Sequence, residues 1–247
     1  MTDRWRVGAN LATLGNGLLG VGAVLYTVAG NKLWAMLLIT LAIGLDGLDG
    51  LLSRRSGSAP GAFGRIADSA ADAVSFGVAP AVLVAVHTSE VGLWAPYATL
   101  TLLAALVYLG AAVARLAYFT ARAHALPHFL GIPSPQAALA VIVTGLFLDT
   151  PALARVDPAV TVAVVLAIAV LMLVPVPYPK IRRGSPLRWP MATTAAFGAL
   201  ALVPLQFRLG RGSPLYDLAS AGAWGLLVGV AAYYLVGPFT LGRRKEG

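Results

Sequence analysis

The strongest constraint on this chain is its supply of long apolar runs. A helix of about 20 apolar residues, rising 1.5 Å each, crosses a hydrocarbon core of about 30 Å. Eight segments fit that description, roughly 9–30, 33–53, 64–87, 93–117, 133–149, 158–177, 189–207 and 216–240. The sequence predicts an all-α integral membrane protein: a polytopic helical bundle of about eight spans forming a single membrane domain over 1–247. Composition agrees, because only 11% of the 247 residues are charged, against about 25% in soluble domains. With no cysteine in the chain, disulfides, thiolate metal sites and cysteine nucleophiles are excluded. The first apolar stretch is interrupted by Asn10, Thr13 and Asn16 and has no small-residue cleavage pattern, so it is expected to stay as a span.

The net charge of +8 invites a nucleic-acid partner, but the positions of the charges argue for topology instead. Threading eight spans puts Arg4, Arg6, Arg54, Arg55, Arg65, Arg115, Arg122, Lys180, Arg182, Arg183, Arg188, Arg243, Arg244 and Lys245 on one side. Lys32, Arg155, Arg208 and Arg211 fall on the other. The positive-inside rule then predicts cytoplasmic termini and a cytoplasmic 54–65 loop. Basic residues there also suit anionic headgroups. No nucleic acid is expected.

The acids sort more sharply. Asp3 and Glu246 are terminal, and Glu90, Asp149, Asp157 and Asp217 fall in opposite-side loops. Only Asp46, Asp49, Asp68 and Asp72 lie within or at the ends of spans. A charge at mid-bilayer costs about 2.5–3.5 kcal/mol, so four require a counterweight. Asp46 and Asp49 are i and i+3, Asp68 and Asp72 are i and i+4, and each pair shares one helical face. The two helices, joined by a cytoplasmic loop, are expected to be antiparallel neighbours. Hard oxygen donors without His or Cys favour Mg²⁺, Mn²⁺ or Ca²⁺. Four carboxylates can hold two ions about 3.5–4 Å apart, an arrangement suited to phosphoryl displacement. The competing reading pairs these acids with Arg54, Arg55 and Arg65 at the helix ends; two in-phase pairs weigh against it. Gly50 and Gly64 fit either close approach of a ligand or helix packing; for Gly17, Gly20 and Gly22, packing is favoured.

The pattern Asp46-x-x-Asp49-Gly50-x-x-Ser53-Arg54, then Gly64-x-x-x-Asp68-x-x-x-Asp72, resembles the CDP-alcohol phosphotransferase signature D-x-x-D-G-x-x-A-R-(x8)-G-x-x-x-D-x-x-x-D. Ser53 replaces the usual Ala, and nine residues rather than eight separate Arg54 from Gly64. The run DSAADAVSFGVAP (68–80) is similar to one in the serine-transferring branch of that family, the bacterial and archaeal phosphatidylserine synthases. So are NLATLGN (10–16), ARLAYF (114–119), FLGIPSPQAA (129–138) and LMLVPVPYPK (171–180). The resemblance covers about 10–180. It implies a core of six helices over about 9–177 and leaves two additional C-terminal spans, about 189–240, without an assigned motif.

The resemblance further implies a donor, CDP-diacylglycerol or a related CDP-lipid, and L-serine as acceptor, with two divalent cations, Mg²⁺ or Mn²⁺, and a homodimer in the cell membrane. Asp46, Asp49, Asp68 and Asp72 are its metal ligands and Asp72 is also its base. Gly50, Arg54 and Gly64 contact the CDP-lipid, with Asn10 and Thr13 nearby. Two readings fit Arg115: it binds the acceptor carboxylate or a phosphate, or it snorkels to the interface. Other acceptors, such as glycerol 3-phosphate or inositol phosphate, keep the same chemistry. An intramembrane-carboxylate cation transporter is the rival of another class, but the Asp pattern has no second copy of the kind repeated transporters show.

Overall fold

The computed structural model describes residues 2–56, 61–90, 95–122, 128–148 and 158–179, with three isolated positions at 225, 229 and 232. The expected span at 189–207, that at 216–240 apart from those three positions, and the basic residues from Lys180 onward lie outside the described residues. What is described is almost wholly helical: α1 (Thr2–Val28), α2 (Lys32–Ser56), α3 (Ala62–Asp72), a π-helical segment (Ala73–Val78), α4 (Ala79–Glu90), α5 (Ala95–Arg122), α6 (Ser134–Leu148) and α7 (Pro158–Leu173). Four stretches are apolar and long enough to cross a membrane: Arg4–Val28, Lys32–Ser53, Phe63–Val86 and Tyr97–Ala121. The third expected span is therefore one composite rod of α3, the π segment and α4. Helices α6 and α7 are apolar but shorter.

The surface shows what solvates the bundle. Leu11, Leu14, Leu18, Val21, Leu25 and Val28 are exposed along one stripe of α1, and Leu102, Leu103, Leu106 and Val107 along α5. In water such stripes would drive aggregation; in hydrocarbon they are the natural outer face. The protein is an all-α membrane protein. Its interior is built from small residues, which let helix backbones approach closely. Ala23, Ala35, Ala42, Ala79, Ala104 and Ala112 pack with Met36, Ile39, Phe76 and Tyr108, all essentially inaccessible. Helix α6 lies deepest, with Ala137 through Val143 buried without a break.

Helix α1 organises the site end of the bundle. Gly8, Gly15 and Gly22 stand opposite Leu52, Leu45 and Leu38 of α2, so both sets recur every seven residues. That repeat aligns two antiparallel helices like a coiled-coil seam. A second glycine face meets the composite rod. A Cβ on Gly20 would lie 2.8 Å from Ser75 Cα, and one on Gly17 would lie 3.4 Å from Ala71 Cβ. Packing is thus the role of Gly17, Gly20 and Gly22. Helix α1 packs along α2 and also against α3, the π segment and α4, whereas α2 and α3 scarcely touch each other. The second and third spans are neighbours as expected, but α2 meets the rod at the π segment and α4 rather than along α3, and the acids of α2 and α3 meet by side-chain reach.

Two boundaries differ from the expected spans for local reasons. Helix α5 continues to Arg122 rather than ending near 117, since Ala114–Arg122 contains no breaker. The sixth span stops at Leu173 instead of 177. Pro175, Pro177 and Pro179 lack the N–H that a helix needs, and Pro177–Pro179 instead forms β2, antiparallel to β1 (His128–Leu130). Gly131 closes this ribbon at φ +68°, where a Cβ would collide with Met172 O.

Candidate active site

The acids converge. One carboxylate oxygen from each of Asp46, Asp68 and Asp72 lies within 4.8 Å of the others, with all three side chains half-buried. Helical phase explains it. Asp46 projects from α2 toward the composite rod, and Asp68 and Asp72, one turn apart, project back. Asp49 stands outside that trio: its Oδ2 accepts the Thr13 hydroxyl at 2.9 Å, while its carboxylate remains a close neighbour of Asp68. Asp72 feels all three other acids.

This donor set fits a divalent cation. Three hard carboxylate oxygens converge with no nitrogen or sulfur ligand among the described residues. Oxygens on one small ion at about 2.1 Å lie at most about 4.2 Å apart, so small side-chain rotations would close the trio. A cation would also offset the repulsion among like charges packed this tightly. When bound, such an ion would neutralise phosphate charge and stabilise a phosphate leaving group.

The remaining predicted residues fall around the trio in different ways. Thr13, half-buried, also donates to Ala9 O. Asn10 is exposed on α1, one turn before Thr13. Gly50 is half-buried in α2 immediately after Asp49, and Gly64 is half-buried in the first turn of α3. Arg54 lies in the last turn of α2. Arg115 is the departure: it is buried inside α5 rather than snorkelling, and its Nη1 donates to Ser134 Oγ at 3.0 Å. Contacts of Ser69 with Thr120, Phe76 with Tyr108, and Gly77 with Ala112 set α5 antiparallel to the rod. That register puts Arg115 level with the Asp72 turn.

Sequence reasoning assigned no role to three residues that bear on the site. Asn16, fully buried in α1, donates Nδ2 to Asp72 Oδ1 at 2.9 Å. Ser75 donates its hydroxyl to Asn16 O at 2.8 Å, and the Tyr108 hydroxyl donates to Phe76 O at 2.8 Å within the π segment. Such a π turn shifts the helical hydrogen-bond register, and π turns recur at functional sites. Two signals for Asn16 were available: a polar residue amid the apolar positions of the first span, and its place at the end of the NLATLGN run.

The family model for CDP-alcohol phosphatidyltransferase matches residues 6–199. The chain is 35% identical over 139 residues to the CDP-diacylglycerol–serine O-phosphatidyltransferase of Bacillus subtilis, covering 54% of this chain and 72% of that protein. It is 37% identical over 133 residues to the Mycobacterium leprae protein of the same name, covering 50% of this chain and 41% of the other. It is 29% identical over 133 residues to the archaetidylserine synthase of Methanothermobacter thermautotrophicus, covering 53% and 54% respectively. The matches thus span about half the length of the latter two. With a family match over most of its length and the three acids of the trio drawn together, the chain belongs to the CDP-alcohol phosphatidyltransferase family, a family of phosphotransferases.

Proposed function

We propose that this protein transfers a phosphatidyl group from CDP-diacylglycerol, or a related CDP-lipid, to the hydroxyl of L-serine, releasing CMP. The observation that carries the reading is the convergence of Asp46, Asp68 and Asp72 within a membrane helix bundle of this family. A bilayer holds the donor's acyl chains, and clustered acids suit the divalent ions that a pyrophosphate needs. Serine is favoured over other alcohols because the similar proteins of Bacillus subtilis and Mycobacterium leprae are named for it, and the archaeal one for its serine lipid.

In this reading Asp46, Asp49, Asp68 and Asp72 hold two divalent ions, Mg²⁺ or Mn²⁺. Gly50 and Gly64 leave room for the nucleotide, Arg54 takes a phosphate, and Asn10 and Thr13 flank it from α1. The serine oxygen forms a bond to the lipid-side phosphorus while the anhydride bond to CMP breaks. Asp72 accepts the hydroxyl proton. General-base assistance of this kind contributes about 10²–10⁴-fold. Arg115 takes the serine carboxylate; its burial supports this, since a desolvated guanidinium gains from a carboxylate partner. About 9–177 forms the catalytic core, with 189–240 as two further spans. The charge asymmetry supports cytoplasmic termini and a cytoplasmic-facing site, where serine and CMP exchange with water. The family resemblance supplies the homodimer.

The test is CMP release by purified protein with CDP-diacylglycerol, Mn²⁺ or Mg²⁺, and a panel of serine, glycerol 3-phosphate, inositol phosphate and other alcohols. Serine is expected to be the preferred acceptor by at least tenfold in kcat/KM. Preference for a phosphorylated alcohol would overturn the acceptor assignment, and no CMP with any alcohol would overturn the reaction.

A further inference from the structure

We infer that Asn16 is a positioning residue that fixes the Asp72 carboxylate for proton acceptance. The inference rests on the phosphatidyl-transfer reading above. Helix α1 and the composite rod are joined here at two points. The Asn16 side chain donates to Asp72 Oδ1 at 2.9 Å, and the Asn16 backbone carbonyl accepts the Ser75 hydroxyl at 2.8 Å. Asp72 and Ser75 lie three residues apart, at the end of α3 and inside the π segment. Gly20, one turn beyond Asn16, allows the contact: a Cβ there would come within 2.9 Å of Ser75 N. Both ends of the Asn16 residue are therefore held by the rod that carries the base.

The amide's orientation is set by chemistry. A carboxylate only accepts, so the group facing Asp72 Oδ1 is the amide nitrogen. Among the described residues, Asn16 supplies the one side-chain hydrogen bond to Asp72. Among the described residues the other end of the amide has no partner: Asn16 Oδ1 is buried and accepts no hydrogen bond. An unsatisfied buried carbonyl costs about 1–3 kcal/mol, so packing alone favours an apolar side chain at this position. The amide is explained by what its nitrogen does to Asp72. Holding one oxygen restricts rotation of the carboxylate and presents the remaining lone pairs in one direction. Positioning of this kind is worth about 10²-fold when a reacting group is displaced by about 1 Å.

The test uses the full-length protein in detergent or nanodiscs with two near-isosteric variants. Asn16→Leu removes the donor and keeps the branching and number of side-chain heavy atoms; Asn16→Asp keeps the shape and replaces the N–H by an oxygen. For each, kcat, the KM for CDP-diacylglycerol and the thermal midpoint of the metal-free protein are measured. The expected result is a kcat fall of about 30–100-fold in the well-folded variants, with KM for the CDP-lipid within threefold of wild type. The thermal midpoint of Asn16→Leu is expected to be unchanged or raised. A kcat within threefold of wild type in either variant overturns the inference while leaving the reaction standing. So does a fall in kcat accompanied by a matching rise in KM and drop in thermal midpoint, which would make Asn16 a structural residue. Wild-type protein that releases no CMP overturns the reaction, and the role of Asn16 with it.

Discussion

Helix α2 contrasts two kinds of membrane interior within one rod. In its first half, Ala35, Met36, Ile39 and Ala42 are 0–1% exposed, and the Met36 Cε methyl reaches so near Gly145 that a Cβ there would lie 2.7 Å away. In its second half, Asp46 is half-buried, and Gly44 and Gly47 have nothing within 4 Å of where a Cβ would stand. The first half is buried in the core; the second turns Asp46 toward the converging acids on one face and exposed glycines outward on another. Glycine occurs in two settings, close approach at Gly145 and Gly20 and an exposed helix face at Gly44 and Gly47.

Substitutions on the two sides should fail differently. The largest effect is expected at the acidic end: Asp46→Asn should lower CMP release by about 10²–10³-fold, the scale of lost electrostatic stabilisation at a transition state. Its thermal midpoint should not fall, because one of several mutually repelling carboxylates is gone. Parallel loss of activity and thermal stability would erase the contrast. On the packed side, Gly20→Val should destabilise by about 1–3 kcal/mol through overpacking against Ser75, read as a lower midpoint in thermal unfolding. An unchanged midpoint would show that the α1–rod contact is slack. The smallest stability effect is expected for Gly47→Ala, within about 1 kcal/mol and favourable in sign. A clear loss of stability there would mean that the exposed face is covered by packing.

The sequence made one side of this contrast far more legible than the other. Long apolar runs and the sorting of acids revealed the helices and the four aspartates, because hydrocarbon penalises every stray charge and each pair was local in the chain. Asn16, Ser75 and Tyr108 act across 32 to 59 residues, through helix faces whose partners no local pattern names. The π segment was equally hidden, since the Tyr108 hydroxyl that bonds its Phe76 carbonyl comes from another helix. That α2 meets the rod at the π segment and α4 rather than along α3 was masked by the short loop joining α2 to α3, although the seven-residue spacing of Gly8, Gly15 and Gly22 was there to suggest that α1 packs on α2. Arg115 looked interfacial only because α5 was expected to end near 117, five residues before Arg122.

The central claim is that the acidic end of α2 and the composite rod form a metal-dependent phosphatidyl-transfer centre. Its most direct test is CMP release from CDP-diacylglycerol and serine by chelator-treated protein as Mn²⁺ or Mg²⁺ is added back, run beside Asp72→Asn. The account predicts no measurable turnover without metal, saturable recovery on adding it, and a loss of at least about 10²-fold in the variant at saturating metal. Metal-independent turnover, or an Asp72→Asn protein within tenfold of wild type, would contradict it.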